Sequence, residues 1–423
     1  MKIGILIDKG SLELVDCSKI EKGNPGMGGS EYLFLLLAYY LSGKNKEFSI
    51  ILLVKNKLNV EFLCEQRIID EELALENLKG LDCLIANPCG KPVGFFEILD
   101  QWNKNVIAWV HNYIPYMTLK HLANCQSIKK VVFVGKQHYE SYCDDPVFKK
   151  STYIYNMVIP FEVKYVLPSQ KKNIVTYVGA LVPAKGFHKL ARQWKKILKK
   201  VPDAKLWVIG SGKLYDKRNK MGKYGISFSE YEKNFIKYLL DDNGKLLKSV
   251  HFYGTLGYEK EEILQMTKVG VTNPTGISET FCLSAVEFEG IGIPVVAYKG
   301  FGFLDTVQDK NTGLLSKTGY GLYRDIVRLL KNNELNFQFG QKGIELWNQK
   351  FSPKVIIPQW EYLFLHLDED KKESNITTEL WDDLKWLKLL NRYIHHCFHF
   401  DGYSVSYVIS VFKSMAKNIL KLN

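Results

Sequence analysis

Two glutamates in the second half of the chain, Glu279 and Glu287, have a spacing that would let both act on one ligand. Positions eight residues apart are separated by about 2.2 helical turns, so both carboxylates can lie near one face of the same helix. Glu279 would then lie at the helix start, and Glu287 two turns deeper. The apolar neighbours Phe281 and Val286 argue against a fully solvated face, and Glu289 is expected to be the solvated carboxylate of this segment.

Two glycine-rich turns have the composition of anion-binding strand-to-helix connections. The first is GMGGSE at 26–31, before a run with leucines at helical spacing. The second is PTGISETFCL at 274–283, which follows a predicted strand and starts a predicted helix that runs to about Gly290. Glycine lets the backbone approach a ligand, and free N–H groups at a helix start favour an anion. The first turn alone is equally compatible with a structural turn that binds no ligand, whereas the second would present its helix dipole to a diphosphate.

The elements that must position these residues are short apolar runs that alternate with helical patterns. Predicted strands lie at 2–7, 49–54, 82–86, 106–110 and 131–134, and a second series lies at 174–178, 205–209, 250–253, 269–272 and 294–297. The runs lack polar–apolar alternation, which indicates parallel sheets buried on both faces. Since strands and helices alternate on both sides of a polar stretch at 168–173, the sequence predicts an α/β protein with two doubly wound, Rossmann-like domains facing a cleft.

The end of the chain has a different character. We expect a helix at 351–367 that returns to the N-terminal domain, then a charged linker and a helical tail at 368–423, with amphipathic helices around 378–393 and 403–422. One face of the last helix is apolar and consists of Val405, Val408, Ile409, Phe412, Met415 and Ile419, whereas Lys413, Lys417 and Lys421 lie on another. This pattern suits a helix at a membrane surface, on a dimer partner or on the protein itself, and the last arrangement is the commonest.

Composition narrows the classes of partner. With 423 residues, 46% of them hydrophobic, the chain can form two cores, and its net charge of +12 would suit nucleic acid, an anionic membrane surface or a phosphorylated substrate. Zinc-finger spacings and RNA-binding aromatic signatures are missing from the sequence, so nucleic acid is not expected. The HHCFH cluster at 395–399 has no second Cys/His group at finger-like spacing, so we expect an aromatic helix end and no metal site.

Compartment signals in the sequence indicate a cytoplasmic protein. The eight cysteines form no Cys-x-x-Cys pair, and they are expected to be buried, reduced thiols. The first ten residues turn polar too soon for a signal peptide, and no uninterrupted apolar run reaches the ~20 residues of a membrane-spanning helix.

Several segments together resemble one enzyme family. SETFCLSAVE at 278–287 resembles the Glu-x7-Glu signature of retaining, GT-B fold glycosyltransferases of family 4, and GIGIPVVA at 290–297 continues the likeness. VGALVPAKG at 178–186, VIGSG at 208–212 and NTGLL at 311–315 match in the same order. In the first domain GGSE at 28–31, His111 and YN at 155–156 fall where the family has equivalents. The resemblance covers about residues 2–365 and is most specific in the second domain.

The resemblance implies a role for individual residues. The first glutamate of the family's pair contacts the donor sugar and the second the ribose, which implies those roles for Glu279 and Glu287. Catalytic roles are implied for Glu279, His111 beside the transferred sugar, and Lys185 on the phosphate. The implied donor site consists of Gly28, Gly29, Gly179, Lys185, Gly210, Glu279, Thr280, Phe281, Cys282, Leu283 and Glu287. Of these, 280–283 would hold the diphosphate through their backbone N–H groups.

The resemblance also implies a reaction. A hexose or N-acetylhexosamine would pass, with retention of configuration, from a nucleotide diphosphate sugar, with UDP expected, to a glycan or lipid-linked acceptor in cell-surface polysaccharide biosynthesis. Domain 1–168 would bind the acceptor and domain 169–350 the donor. Front-face attack assisted by the leaving diphosphate requires no protein nucleophile, and no cofactor or catalytic metal is expected. The protein would be cytoplasmic or peripheral at the inner face of the membrane.

One position departs from the family pattern. The family usually has arginine directly after the glycine of the opening segment, and here that residue is Ala180. Lys213 or Lys299 would have to supply the missing charge. The alternative hypothesis is a catalytically silent GT-B module that binds a partner transferase or a glycan. A dinucleotide-dependent dehydrogenase is disfavoured because Gly-x-Gly-x-x-Gly does not follow the first strand.

Overall fold

The computed structural model describes residues 1–8, 15–44, 47–70, 72–160, 166–213, 220–367, 384–398 and 402–421. Within these residues the chain forms two parallel β-sheets, each covered by helices. Parallel sheets need a crossover between neighbouring strands, and the helices supply it while burying both sheet faces.

The first sheet contains β1 to β7, in the spatial order β3-β2-β1-β4-β5-β6-β7. Its strands are β1 (Lys2–Ile7), β2 (Ser49–Val54), β3 (Glu65–Ile68), β4 (Cys83–Ala86), β5 (Asn105–Val110), β6 (Ile128–Phe133) and β7 (Ser151–Tyr153). The connecting helices are α1 (Gly29–Lys44), α2 (Val93–Trp102), α3 (Tyr116–Asn124) and α4 (Lys136–Glu140). The strand order reverses between β1 and β4, and this reversal opens a crevice at the carboxyl ends of the strands.

The second sheet repeats the pattern with the order β10-β9-β8-β11-β12-β13. Its strands are β8 (Ile174–Val178), β9 (Lys205–Ile209), β10 (Val250–Gly254), β11 (Val269–Val271), β12 (Val295–Tyr298) and β13 (Gly313–Ser316). Its helices are α5 (Phe187–Lys200), α6 (Ser229–Ile236), α7 (Lys260–Met266), α8 (Leu283–Gly290), α9 (Phe303–Thr306), α10 (Gly319–Lys331) and α11 (Asn333–Lys350). The reversal between β8 and β11 is the second crevice, and the predicted doubly wound fold class is confirmed.

Among the described residues, three helices follow α11, the last helix of the second domain. Helix α12 (Pro353–Leu365) packs against the first sheet, where the Trp360 ring lies 4.8 Å from that of Trp109 and the Phe364 ring 5.5 Å from that of Phe48. Helices α13 (Lys385–Phe398) and α14 (Val405–Lys421) form the described part of the tail. The predicted charged linker lies outside the described residues, as do 378–383 of the first predicted tail helix.

All ten predicted strands are present, with ends that shift by a few residues at most. The sequence reasoning missed β3, β7 and β13. Two of these, EQRI in β3 and STY in β7, are short and polar and lie at the edges of their sheet. They therefore lack the continuous apolar run by which a central strand is identified in a sequence. The cysteine prediction holds for most positions, but Cys397 is exposed and Cys64 and Cys89 are only half-buried.

Candidate functional site

The segment 272–282 between β11 and α8 is an irregular loop, and Glu279 belongs to it. Helix α8 begins only at Leu283, so the prediction that both glutamates lie on one helix is wrong. The backbone φ angles of Asn273, Gly276 and Ser278 are 28°, 70° and 58°. Residues in this left-handed region cannot continue a right-handed helix, so the chain reaches Glu279 before the helix starts.

The carboxylate of Glu279 is held by two partners. Its Oε2 accepts hydrogen bonds from Lys185 Nζ at 2.8 Å and from Asn273 Nδ2 at 2.9 Å, and only 7% of the residue is exposed. Lys185 lies in a 3₁₀ turn after β8, on the other side of the switch point from β11. The fold therefore brings together two residues that are 94 positions apart and that the family resemblance assigned to the same donor.

The Lys185 turn touches the 272–282 loop through a glycine. Gly186 has a φ of 69°, and a Cβ atom there would lie 2.8 Å from the backbone nitrogen of Thr275. Thr275 Oγ1 also donates a 2.6 Å hydrogen bond to the carbonyl of Ala184. No side chain fits at position 186, so close packing against Thr275 explains why glycine follows Lys185 in this structure.

The second glutamate, Glu287, lies on α8 and is paired with a lysine that sequence reasoning missed. Its two carboxylate oxygens accept hydrogen bonds from Lys260 Nζ, at 3.0 and 3.1 Å, and both residues are 6% exposed. Lys260 begins helix α7, on a different element. Tyr32 of α1 approaches from the first domain, and burial together with the charge of Glu287 raises the pKa of its hydroxyl well above the ordinary value.

Glu289 is not the solvated carboxylate that the sequence suggested. It is fully buried, and its Oε1 accepts a 2.5 Å hydrogen bond from Thr312 Oγ1 in the segment before β13. Burial raises the pKa of this carboxyl well above its usual range. Glu289 is buried because α11 covers this side of α8, where a Cβ at Gly343 would lie 3.2 Å from the Glu289 Cβ.

The backbone N–H groups of Thr280, Phe281, Cys282 and Leu283 point to an anion site. Among the described residues, no acceptor is recorded for any of the four. They precede or begin an eight-residue helix, whose dipole favours negative charge at this end. The Cys282 thiol lies beside these N–H groups. Its burial, and to a smaller extent the charge of Glu279, raises its pKa to about 12, so the thiol stays neutral.

The first domain supplies the opposite wall. His111 directly follows β5, and its carbonyl accepts a 2.6 Å hydrogen bond from Thr280 Oγ1. Its ring packs on Trp109, with ring centroids 4.5 Å apart. Gly29 begins α1, and a Cβ there would lie 2.9 Å from Leu283 Cδ1. The predicted first-domain residues therefore face the predicted second-domain residues across the cleft.

Gly179 and Gly210 lie together at the carboxyl edge of the second sheet. The Gly179 N–H donates to Ile209 O at 3.0 Å, and the Gly210 N–H donates to Gly254 O at 2.7 Å. Gly210 has a φ of 141°, and a Cβ there would collide with the carbonyl oxygen of Gly179. Glycine at 210 is thus required for the close approach of these two loops.

Asp305 of α9, which sequence reasoning also missed, links the second domain to the first. Its Oδ2 accepts a 2.8 Å hydrogen bond from the N–H of Gln137, and its Oδ1 accepts one of 3.3 Å from the Tyr155 hydroxyl. Burial raises the pKa of this carboxyl to about 6. No motif marked this residue, because its partners lie 168 and 150 positions away.

Ala180 is buried, and the two lysines proposed to compensate for it differ in their surroundings. Lys299 Nζ makes a 2.9 Å ion pair with Asp309, so its charge is already matched. Lys213 lies two residues beyond Ser211 in the loop that follows β9 and is exposed. Lys213 therefore remains the better candidate for the missing cation.

In the described part of the chain, no group of three His, Cys, Asp or Glu side chains is arranged to hold a metal ion. His399 of the histidine-rich cluster lies outside that part. None of the described helices is both long enough and apolar enough to cross a bilayer.

Two doubly wound domains that face one cleft define the GT-B class of fold, and solved structures share it. Sucrose-phosphate synthase from Thermosynechococcus elongatus matches with a TM-score of 0.65 at 19% identity, over 87% of this chain and 99% of that one. HepE from Anabaena, solved in complex with UDP and glucose, matches with a TM-score of 0.65 at 14% identity, over 86% and 99%. At these identities the likeness concerns the fold alone.

Sequence comparison finds a family match in the second half of the chain. Residues 160–346 match the family described as glycosyl transferases group 1. The capsular polysaccharide biosynthesis glycosyltransferase CapM of Staphylococcus aureus is 26% identical over 205 residues, which are 48% of this chain and 47% of CapM. The chain thus spans about half the length of this curated relative.

Proposed function

We propose that the protein is a retaining glycosyltransferase that transfers a hexose or N-acetylhexosamine from a nucleotide diphosphate sugar, with UDP as the nucleotide. The observation that carries this proposal is the Lys185–Glu279 pair beside the open N–H groups of 280–283. A diphosphate binds to positive charge and N–H donors, which Lys185 and residues 280–283 supply. A sugar hydroxyl needs an acceptor for its hydrogen bond, which the Glu279 carboxylate supplies. The UDP and glucose bound to HepE and the capsular role in CapM's name favour a UDP-sugar and a glycan or lipid-linked acceptor in polysaccharide assembly.

The proposed chemistry uses the protein to position reactants and stabilise charge. The diphosphate would accept hydrogen bonds from the N–H groups of 280–283, and Lys185 would turn from Glu279 toward the leaving phosphate. Glu279 would then accept a hydrogen bond from a hydroxyl of the donor sugar. Glu287, held by Lys260, would contact the ribose. The carbonyl of His111 accepts a hydrogen bond from Thr280, which supports the proposal that the His111 ring would lie near the transferred sugar. With charge stabilised in this way, the proposal needs no resident metal, cofactor or protein nucleophile.

A panel of nucleotide sugars tests this proposal. The purified chain is incubated with each donor, with and without candidate acceptor sugars, and release of nucleoside diphosphate is followed. We expect release from one UDP-sugar, lowered by about 10²- to 10³-fold in Glu279→Ala and Lys185→Ala, because each removes a charge at the reacting centre. The matched controls Glu334→Ala and Lys195→Ala, at exposed positions on α11 and α5, should keep wild-type rates.

Binding of the nucleotide separates this proposal from the silent-module alternative that Ala180 motivates. Calorimetric titration with UDP should show binding that Lys185→Ala weakens. If no nucleoside diphosphate binds and no donor is consumed, the proposed activity is wrong and the silent GT-B module becomes the better description. Glu279→Ala with full biological activity would lead to the same conclusion.

We also propose that the protein works at the inner face of the cytoplasmic membrane, through the tail. Helices α13 and α14 expose large apolar side chains: Trp386, Leu387, Leu390, Tyr393, Phe398, Val408, Phe412 and Met415. Of the face predicted from sequence, Val408, Phe412 and Met415 are exposed, whereas Val405 and Ile409 are half-buried. The side chains of Ile419, Lys413, Lys417 and Lys421 lie outside the described residues. Exposed apolar side chains on a protein of net charge +12 suit an anionic lipid surface.

A further inference from the structure

A cavity of about 820 Å³ borders the proposed donor site. Its walls come from 113–119 and 137–142 of the first domain, from 298–304 and Lys317 of the second, and from the two tail helices. A Cβ at Gly276 would lie 3.0 Å from Phe301 Cδ2 in the cavity wall. The next residue, Gly302, donates its N–H to the carbonyl of Glu279 at 2.9 Å. The cavity therefore opens beside the residues proposed to hold the transferred sugar.

The tail wall is fixed by directional polar contacts. Lys388 Nζ, on α13, donates a 2.7 Å hydrogen bond to the carbonyl of Ser141. Asp144 Oδ2 accepts from the N–H of Val405 at 2.6 Å, at the first turn of α14, and from Asn391 Nδ2 at 3.0 Å. A carboxylate at a helix N-terminus is favourable because it satisfies a free N–H and faces the positive end of the dipole.

An aromatic contact adds to this docking. The Tyr407 ring of α14 stacks on Tyr116 of α3, with centroids 3.5 Å apart and planes inclined by 26°. Tyr407 lines the cavity together with Ser404, Ser406 and Ser410 from the tail. The tail is thus held against the first domain by these contacts, and its side chains line one wall of the cavity.

The lining has the chemistry of a sugar site with an affinity for negative charge. Aromatic side chains (Tyr113, Tyr116, Tyr142, Tyr298, Phe301 and Tyr407) and serine hydroxyls (Ser141, Ser404, Ser406 and Ser410) dominate it, and three lysines (Lys299, Lys317 and Lys388) join them. Among these described lining residues none is acidic. Aromatic rings pack on the C–H faces of a sugar, and hydroxyls pair with its hydroxyls. Lys299 is paired with Asp309 and Lys388 donates to the Ser141 carbonyl, so the exposed Lys317 is the lysine that would attract an anion.

We propose that this cavity is the acceptor site, that α13 and α14 form one of its walls, and that the acceptor is a sugar that carries a phosphate or carboxylate group. This inference rests on the proposed glycosyl transfer. It gives the tail a part in acceptor recognition, separate from any contact with lipid.

Calorimetry on the full chain saturated with UDP tests the inference, with glucose, glucose 1-phosphate and glucuronate as probes. We expect at least one charged sugar to bind ten-fold or more tightly than glucose, and the stronger of the two identifies phosphate or carboxylate. Ser406→Trp, which fills the cavity, should weaken that binding at least ten-fold, and Lys317→Gln should remove the preference for charge. The controls are Val408→Trp on the exposed side of α14 and Lys331→Gln on α10, and both should bind the probes as the wild type does.

The outcomes separate this inference from the function on which it rests. A wild-type chain that does not bind UDP contradicts the proposed function itself. If UDP binds but neither charged sugar binds more tightly than glucose, or no probe binds, the inference is overturned. It is also overturned if Lys317→Gln and Ser406→Trp, both with the UDP affinity of the wild type, bind the probes unchanged.

Discussion

Lys260 and Glu287 form a buried ion pair next to the proposed ribose position. Each residue is 6% exposed, and the pair joins α7 to α8. Burying a carboxylate without a partner costs free energy, so the ammonium of Lys260 offsets the cost of burying Glu287 at this depth. The residue that the family pattern marks as a ligand therefore depends on a lysine that the pattern does not mark.

Loss of Lys260 should destabilise the protein strongly. We expect Lys260→Ala to lower the free energy of unfolding by about 3–5 kcal/mol, because the Glu287 carboxylate would stay buried without its partner. Urea denaturation measures the change, with Lys195→Ala as an exposed control expected to stay within about 0.5 kcal/mol of the wild type. The double variant Lys260→Met/Glu287→Leu should recover much of the loss. A Lys260→Ala change below about 1 kcal/mol would show that the pair is not buried in solution.

Among the elements, the two tail helices differ most from the rest of the chain. Their polar side faces the first domain through Lys388, Asn391 and the N-terminus of α14, and their apolar side faces outward. This is the reverse of a globular surface helix, which buries its apolar stripe in a core. The arrangement presents an apolar face near the cavity without using it for packing within the described chain.

The exposed tail side chains should govern binding to lipid. We expect the protein to co-sediment with vesicles that contain phosphatidylglycerol, more than with neutral phosphatidylcholine vesicles, because its net charge is +12. Trp386→Ser/Phe412→Ser should lower that binding several-fold, whereas Tyr320→Ser, an exposed aromatic residue on α10, should leave it unchanged. Equal binding of all three proteins would contradict the membrane proposal and favour a partner protein on this face.

At the scale of the whole molecule, the 272–282 loop and α9 of the second domain are fastened to the first domain. Phe281 is buried against Tyr155 and Phe351, with ring centroids 6.3 and 5.5 Å away. Asp305 accepts hydrogen bonds from Gln137 and Tyr155. The cleft is thus closed at one side by contacts that hold the proposed donor loop against His111.

The Asp305 contact should depend on pH. The pKa of this carboxyl rises from its ordinary 3.8 to about 6, chiefly because the group is buried and also because of the charge of Glu140. The hydrogen bonds from Gln137 and Tyr155 and the charge of Lys350 act in the opposite direction and lower the pKa. Below pH 3.8 both folded and unfolded forms are protonated. Between pH 3.8 and 6 the unfolded chain releases the proton first, so the stability contributed by this group falls as the pH rises, by about 3 kcal/mol in all.

Asp305→Asn removes this titration and isolates its effect. The difference in free energy of unfolding between variant and wild type should shift in favour of the variant by up to about 3 kcal/mol from pH 4 to pH 7. The hydrogen-bond acceptor lost in the variant costs the same at every pH, so only the slope is diagnostic. Asp242→Asn at an exposed position should show no such slope. A difference that stays flat for Asp305→Asn would mean that the carboxyl has an ordinary pKa.

The sequence by itself determined the two sheets and the positions of the glycine-rich turns. Apolar runs such as 2–7 and 174–178 are local signals, since a strand buried on both faces must be apolar throughout. Gly186 and Gly210 belong to segments of the family resemblance, and the structure supplies the reason for glycine there, since a close backbone approach excludes a side chain. The family resemblance added an ordered set of residues, and two of them, Lys185 and Glu279, form an ion pair in the fold.

Only the tertiary structure decided which charges meet and where the second glutamate's helix begins. The lysine partners of Glu279 and Glu287 lie 94 and 27 positions away, and the Gln137 partner of Asp305 lies 168 positions away, beyond the reach of periodicity or local spacing. Glu289 seemed solvated from its neighbours along the chain, yet α11 and Thr312 bury it. Helical period describes one element at a time, whereas burial and ion pairing arise where elements pack, and for that reason the site's electrostatics came from the fold.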